Sequence, residues 1–181
     1  RNQINDQRFT LIGKNFRELK SALAEQNITR MDGLLADLGV SSHQFDAAER
    51  GFSTRFDAEL DMRMDKKKDG LTAAGIIRTY SEETLKKIFR EYGELRNASQ
   101  VAKKIMANRN LVGTVNELKN AIASCAERGK ENQFYAKVFQ ALRIEVNDER
   151  NALKELLLQS KEVLKQSGRM VVISYHSLED R

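Results

Sequence analysis

An apolar run early in the chain is followed by a cluster of hydrogen-bonding side chains. The run Leu34-Leu35-Ala36 lies between Gly33 and Gly39, and it is typical of a strand buried on both faces, as in a parallel sheet. The polar residues at and after its end are Asp37, Ser41, Ser42, His43, Gln44 and Asp46. Ligands of open α/β sheets bind just outside the carboxyl ends of the strands, so this cluster is a candidate site. A capped turn is the alternative, because Ser and Asp often end strands for turn chemistry alone.

A second polar cluster follows the apolar segment RMVVISYH (169–176), which predicts another buried parallel strand. Ser174, His176 and Ser177 lie at the end of this segment. Neighbouring strands with such ends could build one pocket together with Asp37. His176 could act there as a general base, because the reference pKa of histidine is about 6.5, or it could only orient a ligand or be structural.

Two further segments, ERGFS (49–53) and LDMRMD (60–65), are too long and too mixed for a tight turn and have neither helical nor strand period. In the second segment apolar and charged residues alternate, in the order Leu60, Asp61, Met62, Arg63, Met64 and Asp65. A loop that buries its apolar residues and turns its charges the other way could line a pocket. The same alternation could equally form a short edge strand.

Five motifs occur in a fixed order along the chain: DGLLADLGVSSHQFD (32–46), ERGFS, LDMRMD, FQALRIEVNDE (139–149) and VVISYHSLEDR (171–181). Together they resemble the bacterial methyltransferase family that modifies the exocyclic N4 of a cytosine in small-subunit ribosomal RNA. The resemblance spans the whole chain and implies a Rossmann-like class I methyltransferase domain of α/β class. Family members carry a first strand and a glycine-rich turn upstream and continue further downstream. We therefore expect an internal fragment with an incomplete methyltransferase domain that is inactive alone.

The resemblance also implies which residues bind the methyl donor, which in this family is S-adenosylmethionine. By this resemblance Phe16, Asp37 and Gln44 contact the donor, although Phe16 could instead anchor its helix in the core. Related amine methyltransferases place the acceptor for the target N–H at the position of Asp37, so the role of this residue is ambiguous. The candidate catalytic residues are Asp37, Ser174 and His176.

The resemblance implies an RNA partner, either small-subunit ribosomal RNA or the assembled small subunit, and the distribution of charge agrees with an RNA partner. The chain has a net charge of +5, whereas residues 66–140 alone carry 15 Lys and Arg against 8 Asp and Glu, a net of +7. Clustered positive charge is typical of nucleic-acid binding, and a solvated helical surface is the alternative. The candidate RNA or substrate contacts are Asp61, Arg63, Arg143, Asn147, Lys66, Lys67 and Lys68. Arg63 and Arg143 could also simply pair with Asp61 or Glu145.

The elements that position these residues follow from hydrophobic period and caps. Residues 8–13 read as a short strand, Asn15 could cap the helix that follows, and the strand of Asp37 comes next. From Leu71 the pattern is helical, with caps at Thr72 and Ser81 and a capping box from Thr114 to Glu117. No strand alternates with these helices. We therefore predict an inserted all-α, RNA-binding domain at 66–140 within a discontinuous α/β domain at 1–65 and 141–181. A long amphipathic helix follows 141, and we expect Gly168 to end it.

Composition excludes several other classes. No apolar run approaches the roughly 18 residues of a membrane helix, and no signal-peptide pattern opens the chain, so we expect a cytoplasmic protein with no membrane partner. One cysteine, Cys125, and two histidines give no metal-ligand spacing, and we expect Cys125 to be a buried thiol.

Two other functions compete with the methyltransferase. A nicotinamide-dependent enzyme needs G-x-G-x-x-G, and no two of the ten glycines are two positions apart. A non-enzymatic RNA-binding module would explain the basic helices but not the two polar strand ends. Because strands of the family's sheet are missing from this sequence, we also expect weak donor binding and self-association, for instance as a homodimer.

Overall fold

The computed structural model describes Ile4 and residues 6–41, 48–65, 70–175 and 177–179, and contacts divide them into two compact units. One unit lies within Arg1–Gly39 and Arg150–Arg181, and the other lies within Val40–Glu149. These boundaries differ from the predicted 65 and 140, because Leu60 and Met62 are buried in the helical core and one helix runs without interruption across residue 140. Five of the candidate site residues lie outside the described residues: Gln44, Lys66, Lys67, Lys68 and His176.

The described residues contain seven α-helices and two β-strands. The helices are α1 (Leu19–Glu25), α2 (Ala73–Thr79), α3 (Glu82–Glu91), α4 (Ala98–Asn108), α5 (Val115–Ile122), α6 (Glu131–Asn147) and α7 (Glu149–Val163). The strands are β1 (Met31–Asp37) and β2 (Leu164–Ile173). Short 3-10 turns lie at Phe16–Glu18, Ala48–Arg50, Arg109–Leu111 and Ala123–Cys125. None of these helices is both long and apolar enough to cross a membrane.

The two strands of the first unit pair in parallel, with Asp37 opposite Ile173 at their carboxyl ends. The register is irregular between Met31 and Gly33, where β2 accommodates extra residues up to Arg169. Gly168 lies in this irregular part, and a Cβ atom on it would stand 2.9 Å from the Lys165 carbonyl oxygen. The prediction that Gly168 ends the long helix is therefore wrong. The helix ends at Val163, and Gly168 serves a close backbone approach inside β2.

Two strand predictions for this unit are also wrong. Residues 8–13 form no strand, because a turn uses their first backbone N–H groups. Arg8 N donates to Asp6 Oδ1 over 2.8 Å, and Phe9 N donates to the Asp6 carbonyl over 3.0 Å. The β1–β2 sheet is not buried on both faces, since Leu35 is 66% exposed and Val171 is 53% exposed. A parallel strand becomes buried on two faces only when elements cover both sides of its sheet.

The helical unit confirms the predicted caps and apolar stripes. Thr72 Oγ1 accepts from Gly75 N over 3.0 Å, and Thr114 with Glu117 forms both bonds of the capping box. Most apolar residues of the predicted helical stripes are buried in one core: Leu85, Ile88, Phe89, Val101, Ala102, Ile105, Leu118 and Ile122, with Cys125 from the 3-10 turn after α5. The other three, Tyr92, Met106 and Ala121, are partly buried against that core. Burial raises the pKa of the Cys125 thiol, which accords with a structural role.

Candidate functional site

A carboxylate and a phenol meet at the carboxyl ends of β1 and β2. Leu38 N donates to the Ile173 carbonyl over 3.1 Å, which continues the parallel ladder by one residue beyond Asp37. Tyr175 then directs its hydroxyl at Asp37 Oδ1 over 2.8 Å, while its backbone N–H donates to Glu179 Oε2 over 2.8 Å. The two strand ends are thus joined by a side-chain hydrogen bond, at the edge of the sheet where α/β proteins bind their ligands.

The electrostatics of this pair keep Tyr175 a donor. Its pKa is raised, first because the hydroxyl is hydrogen-bonded to the Asp37 carboxylate and second because that negative charge opposes formation of a phenolate. Tyr175 therefore stays protonated at neutral pH and polarises one carboxylate oxygen. The sequence analysis selected Ser174 and His176 on either side of Tyr175 but missed Tyr175 itself. Only its residue type, an aromatic with a hydroxyl, and its position at a strand end could have indicated a role.

The other candidate residues of the first unit are Ser174 and Phe16. Ser174 is the first residue after β2 and is exposed. Phe16 begins the 3-10 turn that leads into α1, and Asn15 caps this turn by accepting from Arg17 N over 3.1 Å. Because Phe16 is 41% exposed, it does not anchor a buried core as one interpretation of the sequence had it.

The segment of residues 60–64, which we call the 60–64 loop, has no regular structure, yet all ten of its backbone N–H and C=O groups are hydrogen-bonded. Its alternation buries Leu60 and Met62, which are 1% and 0% exposed, and it forms no edge strand. Met62 has a left-handed φ of 60°, which costs a non-glycine residue about 1–3 kcal/mol. Such a conformation persists only where the surroundings dictate it.

Two side chains from distant parts of the sequence hold the 60–64 loop. Arg50 Nη2 donates to the carbonyls of Arg63 and Met64 over 2.7 and 2.8 Å. Asn147 Oδ1 accepts from Met64 N over 2.7 Å, and its Nδ2 donates to the Met62 carbonyl over 2.8 Å. Sequence reasoning took Asn147 for an RNA contact and assigned no role to Arg50. In the structure both bind protein backbone.

Arg63 and Asp61 project from this loop as a two-bonded ion pair. Arg63 Nε lies 2.6 Å from Asp61 Oδ1, and Arg63 Nη2 lies 3.1 Å from Asp61 Oδ2. The side chains are 26% and 14% exposed, respectively. The pairing with Asp61 that the sequence left open for Arg63 is therefore present, and both side chains still reach the surface.

Arg143 pairs with Glu149 and not with Glu145. Its Nε and Nη2 donate to the two Glu149 carboxylate oxygens over 2.8 and 3.0 Å, and both side chains are only 15% exposed. Glu145 instead accepts from the Tyr80 hydroxyl over 2.8 Å. Burial, followed by this bond, raises the pKa of Tyr80 to about 12. Arg143 is thus committed to an ion pair between the end of α6 and the start of α7.

The described residues hold no group of three or more His, Cys, Asp or Glu side chains arranged to bind a metal ion. Among the described residues, the side chains at the strand ends include the Asp37 carboxylate, the Tyr175 phenol and the Ser174 hydroxyl. In the helical unit, the 60–64 loop presents the Asp61 carboxylate beside the Arg63 guanidinium.

Comparison with known proteins shows which protein family this chain matches. Residues 1–181 match a family described as the MraW methylase family. The chain is 56% identical to the ribosomal RNA small subunit methyltransferase H of Flavobacterium psychrophilum, over 99% of this chain and 62% of that protein. It is 54% identical to the protein of the same name from Bacteroides thetaiotaomicron, over 100% of this chain and 60% of that protein. The chain thus spans only part of the length of the curated relatives it matches.

Proposed function

The chain belongs to the MraW methylase family, and from this premise we propose that the protein methylates the exocyclic N4 amine of a cytosine in small-subunit ribosomal RNA, with S-adenosylmethionine as donor. The name that the relatives share supports a methyltransferase for this RNA. The cytosine N4 position follows from the motif resemblance. A class I methyltransferase domain carrying an inserted helical domain is part of the same proposal.

The observation that carries the proposal is the placement of Asp37. Its carboxylate lies at the carboxyl end of a parallel strand, in register with the end of β2, and Tyr175 holds one of its oxygens. Ligands of α/β sheets bind at this edge. A carboxylate is also the kind of acceptor that an amine needs when it loses a proton during methylation.

Bound S-adenosylmethionine supplies a methyl group activated by a sulfonium, so the protein has mainly to position and polarise the amine. The amine of cytosine is a poor nucleophile because its lone pair is delocalised into the ring. An Asp37 oxygen within hydrogen-bond reach polarises an N–H bond as the new N–C bond forms, and it receives the proton that leaves. Tyr175 orients the carboxylate by binding Oδ1. The target base must be unpaired or extruded from its stack to reach such a site.

The described residues also suit the donor itself. Phe16 is 41% exposed, and an exposed aromatic side chain is suited to pack against adenine. Asp37 could instead bind a hydroxyl or the amino group of the donor, which is the second role that the resemblance allows. Loss of donor binding and loss of turnover in Asp37 variants separate these two roles.

The positive charge of residues 66–140 supports RNA as the partner of the helical unit. Within Val40–Glu149 the excess of positive charge lies in residues 66–140, because residues 40–65 and 141–149 are net acidic. A phosphate backbone is attracted to such a concentration of lysine and arginine.

The direct test is methyl transfer by a chimera in which this chain replaces the matching segment of a full-length relative. The chimera is incubated with small-subunit RNA or assembled subunits and labelled S-adenosylmethionine, and the nucleosides are then separated by mass spectrometry. We expect N4-methylcytidine in the wild-type chimera and a large loss in Asp37→Asn. Methyl transfer to another atom would overturn the assignment of N4. RNA binding without any transfer would favour a non-enzymatic RNA-binding module.

A further inference from the structure

The 60–64 loop is held more firmly than a cover for the core requires. Burying Leu60 and Met62 needs only that their side chains face the helices. Instead, two long-range side chains secure the backbone from residue 62 to residue 64, and Met62 is kept in a left-handed conformation. Strained, over-determined loops are typical of sites that must present particular groups. The groups presented here are the side chains of Asp61 and Arg63.

We propose that the Asp61–Arg63 pair binds the Watson–Crick edge of an unpaired cytosine in RNA, and that Arg50 and Asn147 are positioning residues that hold this pair. The inference rests on the proposed function for the identity of the partner as RNA. It assigns no position to that cytosine within the RNA.

The pair is chemically complementary to cytosine. Along its Watson–Crick edge cytosine offers an amine donor followed by two acceptors, N3 and O2. A carboxylate accepts from that amine, and a guanidinium held beside it donates to the neighbouring acceptors. Uracil presents an oxygen where cytosine has the amine, so the same carboxylate would face a second acceptor. An acceptor fixed next to a donor, as Asp61 and Arg63 are, therefore discriminates cytosine from uracil.

The positioning roles follow from geometry. Arg50 uses one terminal nitrogen for two successive carbonyls, and its guanidinium lies 5.4 Å from the centre of the Phe52 ring. Asn147 uses both amide hydrogens, on the carbonyls of Met62 and Arg143, and its oxygen accepts from Met64 N. Both amide hydrogens are thus used on protein backbone, and none is left to donate to a base. Asn147 therefore acts through the loop rather than on RNA.

The test compares two short single-stranded oligoribonucleotides that differ by one cytosine-to-uracil change, bound to the 181-residue chain. The readout is the ratio of the two dissociation constants, which a general loss of stability would not change. We expect wild type to favour cytosine by about tenfold. Asp61→Asn should bring the ratio close to one, because an amide can face either base. Arg63→Lys should also lower the ratio of the two dissociation constants. This variant replaces Asp61→Asn in the test if Asp61→Asn does not fold.

Arg50→Lys and Asn147→Asp test the positioning residues. Each variant has a side chain of similar size but cannot make the same hydrogen bonds to the loop backbone. We expect both to lower the cytosine preference at temperatures well below their melting points. Arg90→Lys and Asn120→Asp are the matched controls, because both wild-type residues lie at the surface of helices of the same unit, outside its core. The controls should keep the wild-type ratio.

Equal binding of both oligonucleotides by wild type would overturn the inference and leave methyl transfer by the chimera untouched. An unchanged ratio in folded Arg50→Lys and Asn147→Asp would overturn the positioning roles. Failure of the chimera to methylate RNA, with cytosine preference intact, would count against the proposed function alone.

Discussion

The hydroxyl of Tyr175 donates to Asp37 Oδ1 across 2.8 Å, between residues that stand 138 positions apart in the sequence. The bond joins the ends of the two strands of one parallel sheet. The hydrogen bond to Asp37 raises the pKa of Tyr175, so at neutral pH the phenol keeps the proton that it donates to Oδ1, and this bond limits the orientation of the carboxylate. Asp37 is therefore a positioned carboxylate.

Removing this hydroxyl should weaken methyl transfer without abolishing it. In the chimera, Tyr175→Phe loses one hydrogen bond worth about 1 kcal/mol, so we expect kcat to fall roughly fivefold. Donor affinity should change little, because the donor is not the partner of this hydroxyl. Turnover kinetics and a calorimetric donor titration give the two quantities. An unchanged kcat would show that orientation of Asp37 does not limit the reaction.

Arg143 should prove structural rather than RNA-binding. Arg143→Ala leaves Glu149 without this guanidinium at a site where both side chains are 15% exposed, so we expect the free energy of unfolding to drop by about 2–3 kcal/mol. Urea denaturation measures this loss. The slope of log affinity for single-stranded RNA against log salt concentration should stay at its wild-type value.

In contrast to Arg143, the three lysines at 66–68 should contribute to the salt dependence of RNA affinity. Reversal of Lys66, Lys67 and Lys68 to Glu should reduce the magnitude of the slope, by about 0.7 for each RNA phosphate that these lysines neutralise in the wild-type complex. Their reversal should change stability less than Arg143→Ala. The prediction is contradicted if the salt dependence of affinity stays the same after reversal of the three lysines but changes in Arg143→Ala. That result would make Arg143, and not the lysines, the RNA contact.

The free energy of unfolding should fall at high pH because Tyr80 then loses its proton. Its pKa is raised from an ordinary value of about 10 to about 12, so the folded state favours the protonated phenol. This stabilisation is fully present below pH of about 10 and is lost as the pH rises towards about 12. Tyr80→Phe removes the titrating group. The difference in unfolding free energy between wild type and Tyr80→Phe should shift against wild type over this interval, and denaturation at a series of pH values measures it.

The exposed sheet should drive self-association of the isolated chain. Leu35 and Val171 are 66% and 53% exposed on the only two strands among the described residues, and two-stranded sheets are rarely stable alone. We expect apparent mass in sedimentation to rise with protein concentration, and Val171→Lys to reduce that rise. Replacing an exposed lysine of the helical unit, Lys103→Ala, is the control. A monomer at all concentrations would contradict this prediction.

Features that depend on neighbours in the sequence were predictable from it. The caps at Thr72 and Ser81 and the box between Thr114 and Glu117 each join residues three positions apart, so residue type and spacing suffice to identify them. The apolar stripes of the helices repeat at the helical period for the same reason. Asp37 could be selected as a candidate because a strand end places a polar residue at the edge of a sheet whatever the rest of the chain does.

The tertiary structure decided the partners. Which carboxylate binds Arg143, which phenol binds Asp37 and what holds the 60–64 loop all depend on residues brought together from distant positions, such as Asn147 and Met62, 85 apart. Residues 8–13 show the same limit, since extended propensity becomes a strand only when a neighbouring strand takes up its backbone hydrogen bonds. Long-range pairs form because the folded chain offsets the entropy of bringing them together, and that free energy belongs to the whole packing rather than to any local segment.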